Sequence, residues 1–208
     1  IRIMQAMGAY GFRGLFEKKV HLIKSILPAR KNLKYLLENG KLDFDIPHLH
    51  EVFENIISSD EFNIYEDKIL PNEKLSVTIT SFSYKREIPI DLADNGGGYV
   101  FDCRGLNNPG RLLDFKLLNG RNTEVINFLK TNSKVDYYMS HIYPVVDSTI
   151  ETYLKRGFKN LMINFGCTGG QHRSVYCADE MFKYLKNKYD INVFLSHIEQ
   201  GIKEEVIK

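Results

Sequence analysis

The stretch that most constrains this chain runs from Leu161 to Leu185. Leu161-Met-Ile-Asn-Phe165 is an apolar run of strand length, and glycines follow at Gly166, Gly169 and Gly170. From Ser174 onward Val175, Ala178, Met181, Phe182 and Leu185 recur at helical spacing. The spacing predicts a strand, a glycine loop and a helix in direct succession.

Such a unit has a physical use. The first backbone N–H groups of a helix lack partners within it and carry the positive end of its dipole. Glycines let the loop backbone turn further N–H groups toward an anion. Thr168, Ser174 and Gln171 add neutral donors, and Arg173 adds a charged fork matching two phosphate oxygens. Glycine turns between strand and helix are common as mere connections, so it is the mixture of Cys167, Thr168, His172, Arg173 and Ser174 that marks the loop as a phosphate cradle.

The remaining chain reads as an α/β domain behind a helical appendage. Residues 3–39 are helical in character, and Pro28 is expected to separate a first helix from a second over Ala29–Glu38. A third amphipathic helix is expected after Asp45-Ile-Pro47, and a polar join follows to about Glu73. Apolar and hydroxyl residues alternate from Leu75 to Tyr84, which predicts a strand. After the turn Asn95-Gly-Gly-Gly98 comes a second strand, Tyr99–Cys103. Helices are expected over Thr123–Lys130 and Val135–Lys155, the latter kinked or split at Pro144. A last strand spans Ile191–His197, and Gly201–Lys208 reads as a short helix or frayed end. The order β, β, α, α, β, α, β gives a mixed sheet with flanking helices from about residue 74 to 208, with residues 1–60 as the appendage.

Polar residues cluster just past the second strand, at Asp102, Arg104, Asn107, Asn108, Pro109, Gly110 and Arg111. Open α/β sheets place ligands beyond the carboxyl ends of their strands. The alternative is a turn that satisfies its own backbone.

Composition narrows the classes. Of 208 residues 43% are apolar and 26% charged, the balance of an ordinary globular protein. With 28 Lys+Arg against 26 Asp+Glu and no dense basic block, charge neither suggests nor excludes a nucleic-acid partner, since local patches can exist on a nearly neutral surface. Cys103, Cys167 and Cys177 are an odd count at irregular spacing, without a signal-peptide or membrane-length apolar run, so a reducing cytosol is expected and no membrane association. No Cys-x-x-Cys or His-x-x-x-His pair suggests a metal, and neither a metal nor a cofactor is expected. The first residue is Ile1, which suggests a piece of a longer product.

Several stretches align in order with one family. Ser81-Phe-Ser-Tyr84 with Ile88-Pro89, Phe101-Asp-Cys-Arg104 with Asn108-Pro109, and Gly166-Cys-Thr-Gly-Gly-Gln-His-Arg-Ser-Val175 resemble the C-terminal domain of RapZ-type RNase adapters. The resemblance covers roughly residues 74–200. It implies a fold similar to a phosphofructokinase subdomain, a pocket for an amino-sugar phosphate such as glucosamine 6-phosphate, and contact with small regulatory RNAs. Asp102, Cys167, Thr168, Gly169, His172 and Arg173 would line that pocket, and Arg104, Asn108, Gly170, Gln171 and Ser174 join them on the reading of the loops. This chain departs from the family at Gly110, at Gln171, and in the tail Glu199–Lys208, which is not basic and argues against RNA. The expected partner is a phosphorylated small molecule, nucleotide or amino-sugar phosphate, or an oxyanion, bound by a sensor or adapter module; self-association into a homo-oligomer stays open. The opening stretches Gly11-Phe-Arg-Gly-Leu-Phe-Glu-Lys-Lys19 and Ser25–Leu33 resemble the tail of aminoglycoside-phosphotransferase-like kinases but carry none of that family's phosphate-binding, metal-binding or catalytic positions.

A second chemistry fits the same loop. Cys167 through Ser174 satisfies the Cys-x5-Arg-Ser pattern of tyrosine phosphatases, in which a thiolate at a helix N-terminus attacks phosphorus while arginine holds the equatorial oxygens. Asp102, Asp147 and Asp179 are candidate acids, and none is favoured.

Overall fold

Alternating apolar and hydroxyl residues form β1 (Ser76–Ser83), the middle strand of a five-stranded sheet. The computed structural model describes residues 2–17, 19–40, 47–59, 74–91 and 97–208. They fall into two units, one of residues 1–71 with 90–95 and one of residues 72–89 with 96–208.

The larger unit is built on the sheet. Its strands β2 (Tyr99–Asp102), β3 (Asn160–Cys167), β4 (Asn192–His197) and β5 (Ile202–Val206) join β1 in the order β2-β3-β1-β4-β5. The first four strands are parallel, and β5 runs antiparallel to β4. In register, Val77 and Ile79 of β1 lie beside Leu161 and Ile163 of β3 and Val193 and Leu195 of β4, so one face is apolar until Ser81 and His197 near the carboxyl ends. On that face pack α4 (Thr123–Asn132), α5 (Val135–Arg156) and α6 (Arg173–Lys188), through Leu129, Met139, Val146, Ile150, Met181 and Leu185. Residues on the other face pair with one another: Thr80 hydrogen-bonds Asn164, whose Nδ2 donates to Tyr99 O at 3.1 Å. The period of two therefore sorts core from polar face.

The smaller unit holds α1 (Arg2–Gly11), a π-helical turn (Phe12–Phe16), α2 (Val20–Glu38) and α3 (Pro47–Ser58). Ile23, Ile26, Leu33 and Phe53 are buried in it, and Arg30 Nε donates to Ile57 O at 3.0 Å.

Four expectations need correction or limits. Pro28 does not divide α2, because it sits on an exposed stripe where its missing N–H bond faces solvent; the break falls earlier, before Val20. Pro144 likewise lies exposed inside an unbroken α5. The tail is a strand: Ile202, Glu204 and Val206 are half-buried while Lys203 and Glu205 are exposed, a period of two after a turn in which Gly201 takes φ +66°. The third helix begins at Pro47, in the first-turn position expected of it, whereas the join at 60–73 and most of the turn around Asn95 lie outside the described residues.

Candidate functional site

Parallel pairing brings the carboxyl ends of the strands to one edge. Ser83 is opposite Cys167, and Asp102 is opposite Gly166, so β1, β2 and β3 end together. The loop after β3 is tied to β1 at once: Tyr84 N donates to Cys167 O at 3.0 Å, and Ser83 Oγ donates to Thr168 O at 2.8 Å. Gly166 is needed because a Cβ there would lie 2.4 Å from the Tyr84 ring. Gly170 is needed twice over, since its φ is +64° and a Cβ would meet Glu199 Cγ at 2.4 Å and Ser83 N at 2.9 Å. Thr168 and Gly169 form the exposed tip.

At the start of α6 the cysteine sulfur is ringed by donors. Cys167 Sγ lies 3.1 Å from Ser174 Oγ. Burial works to raise its pKa, but hydrogen bonds from the Ser174 hydroxyl and N–H, the charge of Arg173 and the N–H of Gly170 outweigh it and hold the thiol below its ordinary value. The thiol is only 2% exposed.

Arg173 links the loop to the turn after β2. It is 4% exposed, and its Nη1 donates to Arg104 O and Leu106 O, both at 3.0 Å. Nη2 lies 3.4 Å from Thr168 Oγ1, and the buried Nε has no partner. One corner of the guanidinium is thus anchored through Nη1, Nη2 reaches Thr168, and Nε alone is unpaired.

Asp102 and Arg104 form the rim. Asp102 accepts from Arg104 N at 2.9 Å, and its carboxylate is clasped by Arg104 Nε at 2.9 and 3.0 Å and Nη2 at 2.6 Å. The Arg104 hydrogen bonds hold the Asp102 carboxyl below the usual range, against a smaller effect of burial. The Arg104 guanidinium also lies over the Tyr84 ring, 4.1 Å from its centroid. Burial and the nearby Asp102 charge push the Tyr84 phenol up.

Three other expected residues are taken up by protein partners. Asn108 Oδ1 accepts from Gly110 N at 3.2 Å, so the Asn-Pro-Gly turn does satisfy its own backbone. His172 Nε2 lies 2.8 Å from Phe115 O, and Gln171 Nε2 donates to Lys116 O at 2.9 Å and Leu118 O at 2.6 Å. Gln171 and His172 brace the cradle against residues 115–118. The structure therefore gathers Asp102, Arg104, Cys167, Thr168, Arg173 and Ser174, with Gly170 shaping the loop.

Sequence reasoning passed over a buried chain behind the site. Ser81 Oγ is 2.8 Å from His197 Nδ1, His197 Nε2 is 3.3 Å from Asp179 Oδ1, and Asp179 Oδ2 is 3.2 Å from Arg121 Nε. Ser81 and His197 are 116 residues apart, and only the polar residues inside apolar runs signalled them. Glu199 and Gln200 were also missed. Gln200 Nε2 donates to Gly170 O at 3.2 Å and Glu199 pairs with Arg86 at 3.2 Å, while one side-chain oxygen of each is buried without a partner. No group of three or more His, Cys, Asp or Glu residues suited to a metal occurs among the described residues. No helix among them is long and apolar enough to cross a membrane.

The family profile described as the RapZ C-terminal domain matches residues 75–201. A "Nucleotide-binding protein" of Thermosipho melanesiensis is 32% identical over 187 residues, covering 88% of this chain and 61% of the relative. One of Dictyoglomus turgidum is 33% identical over 91% of this chain and 60% of the relative. One of Staphylococcus aureus is 35% identical over 67% of this chain and 45% of the relative. This chain thus spans about 60% of the length of the first two relatives. The aligned 187 residues are more than fit between residue 72 and Lys208, so the likeness runs into the helical unit as well. With the profile covering β1 to β4 and the glycine loop, the chain belongs to the RapZ C-terminal domain family.

Proposed function

We propose that the carboxyl edge of β1, β2 and β3 binds the phosphate of a small phosphorylated molecule, a nucleotide or an amino-sugar phosphate, as a sensing module. The observation that carries this is the buried Arg173, anchored through Nη1 and left with an unpartnered Nε. An unpaired buried donor of this kind costs about 1–3 kcal/mol, which a phosphate oxygen would recover. The α6 N-terminus and Thr168 supply further donors, and Arg104 over Tyr84 supplies a charged, flat rim for the rest of the ligand. The names of the relatives accord with a nucleotide, although part of each relative lies outside the shared region.

The helical unit we read as part of the same type of chain, since the likeness to the relatives continues into it. The sensing and adapter role of the whole protein rests on this assignment.

The Cys167–Ser174 contact favours a second reading as a phosphatase. Two observations weigh against it. Cys167 is buried, and Asp102 is held ionised by Arg104, which leaves it without the proton a leaving-group acid must deliver.

Titration calorimetry with inorganic phosphate, AMP and glucosamine 6-phosphate tests the proposal. Saturable binding of at least one of them, lost in Arg173→Ala, is expected. Failure of all three to bind would defeat the reading.

A further inference from the structure

A second concavity opens on the helical face of the sheet. β2 is the edge strand, and its alternation turns Phe101 toward α5 while Asp102 points the other way. Between Phe101, Leu106 and Ile142 lies a cavity of about 360 Å³, within the range of small-molecule pockets. Its walls are almost wholly apolar.

The mouth is chemically distinctive. Tyr137 is 67% exposed, and its ring centroid is 4.3 Å from that of His141. His141 Nδ1 lies 2.8 Å from Tyr137 O, which fixes the imidazole beside the phenol. Lys134, an exposed residue at the start of α5, contributes the one ammonium group of the lining. Aromatic rings held at the surface above an apolar cavity stack onto a planar partner, and a cation at the lip selects a negative substituent on it.

We propose that this cavity is a second ligand site, distinct from the glycine-loop cradle, for a flat aromatic molecule carrying one acidic group. The ring inserts between Phe101 and the Tyr137–His141 pair, and the acidic group meets Lys134. The assignment is independent of what the cradle binds.

Anilinonaphthalene sulfonate serves as the probe, with uncharged N-phenylnaphthylamine as its control, and binding to the intact chain is followed by fluorescence. One saturable site per chain is expected. Tyr137→Ala should weaken both dyes about three- to tenfold, the loss of one stacking partner. Lys134→Glu should weaken the sulfonate about fivefold and leave the uncharged dye within about twofold, since only a charge at the lip has changed. Val145→Arg, at a half-exposed position in the mouth, should block both dyes. All three positions are exposed, and thermal unfolding of each variant confirms that it folds. Absence of saturable binding, or equal affinity in wild type and all variants, would overturn the proposal.

Discussion

The hydroxyl of Ser174 lies 3.1 Å from the sulfur of Cys167, across the mouth of α6. The same contact would steady a nucleophilic thiolate or merely complete a helix cap. Turnover separates the two. The expected result is no hydrolysis of p-nitrophenyl phosphate by wild type, and phosphate binding that survives in Cys167→Ser. Hydrolysis by wild type that vanishes in Cys167→Ser would move the protein into the enzyme class.

The thiol carries a pH signature of its own. Its pKa is held below the ordinary 9.0, so the unfolded chain keeps the proton over a range where the folded one has lost it. Stability from this group is therefore fully present above 9.0 and disappears as pH falls through the lowered folded value. Denaturant unfolding of wild type and Cys167→Ala between pH 6 and pH 10 should show the wild-type advantage growing with pH. A difference independent of pH would show that the thiolate is not stabilised.

Removing Arg173 acts on both ligand and fold. Arg173→Ala should weaken phosphate binding by about 1.5–3 kcal/mol, the worth of a charged hydrogen bond. It should also destabilise the domain, because Arg104 O and Leu106 O lose their donor. Arg173→Lys keeps the charge but not the fork, and calorimetry should place it between the other two.

The two neighbouring glycines of the loop should respond in opposite ways. Gly169→Ala meets nothing within 4 Å and should change stability by less than about 0.5 kcal/mol. Gly170→Ala must hold φ +64° and displace Ser83 N, and a loss of about 1–3 kcal/mol is expected. Thermal melts of the pair decide it; equal tolerance would show that the loop is not held as described.

Behind the cradle, His197 joins Ser81 to Asp179 at zero exposure. His197→Leu strands the buried Ser81 hydroxyl, leaves Asp179 with Arg121 alone, and should cost about 2–5 kcal/mol in urea unfolding. His197→Gln, which can still reach one of them, should cost less. If Leu proved as stable as His, the chain of polar contacts would carry no weight in the fold.

What could be read in advance depended on how local the signal was. Strand β3, its glycine loop and α6 have a periodicity and a turn chemistry that stand without tertiary context, and so does the alternation of β1. The strand character of Ile202–Val206 was hidden because Ile-Lys-Glu-Glu-Val suits a helix equally well; pairing with β4 decides it. Gln171 and His172 looked like ligand donors by type, yet carbonyls more than fifty residues away claim both. Arg173 showed the converse: its chemistry was legible, but its anchoring on Arg104 O and Leu106 O depends on where β2 ends.

The central position of β1 has a consequence for how the chain is made. Thr80 finds Asn164 at a separation of 84 residues, and Ser81 finds His197 at 116. Both flanks of the middle strand therefore form late, and each closes a long loop at an entropic cost before any pairing rewards it. During synthesis β1 stands with both edges bare until β3 and then β4 emerge, and its apolar face waits for α5 and α6. The sheet closes only after the ribosome has passed His197, so a nascent chain stopped short of β4 exposes the very strand that the finished domain buries most completely.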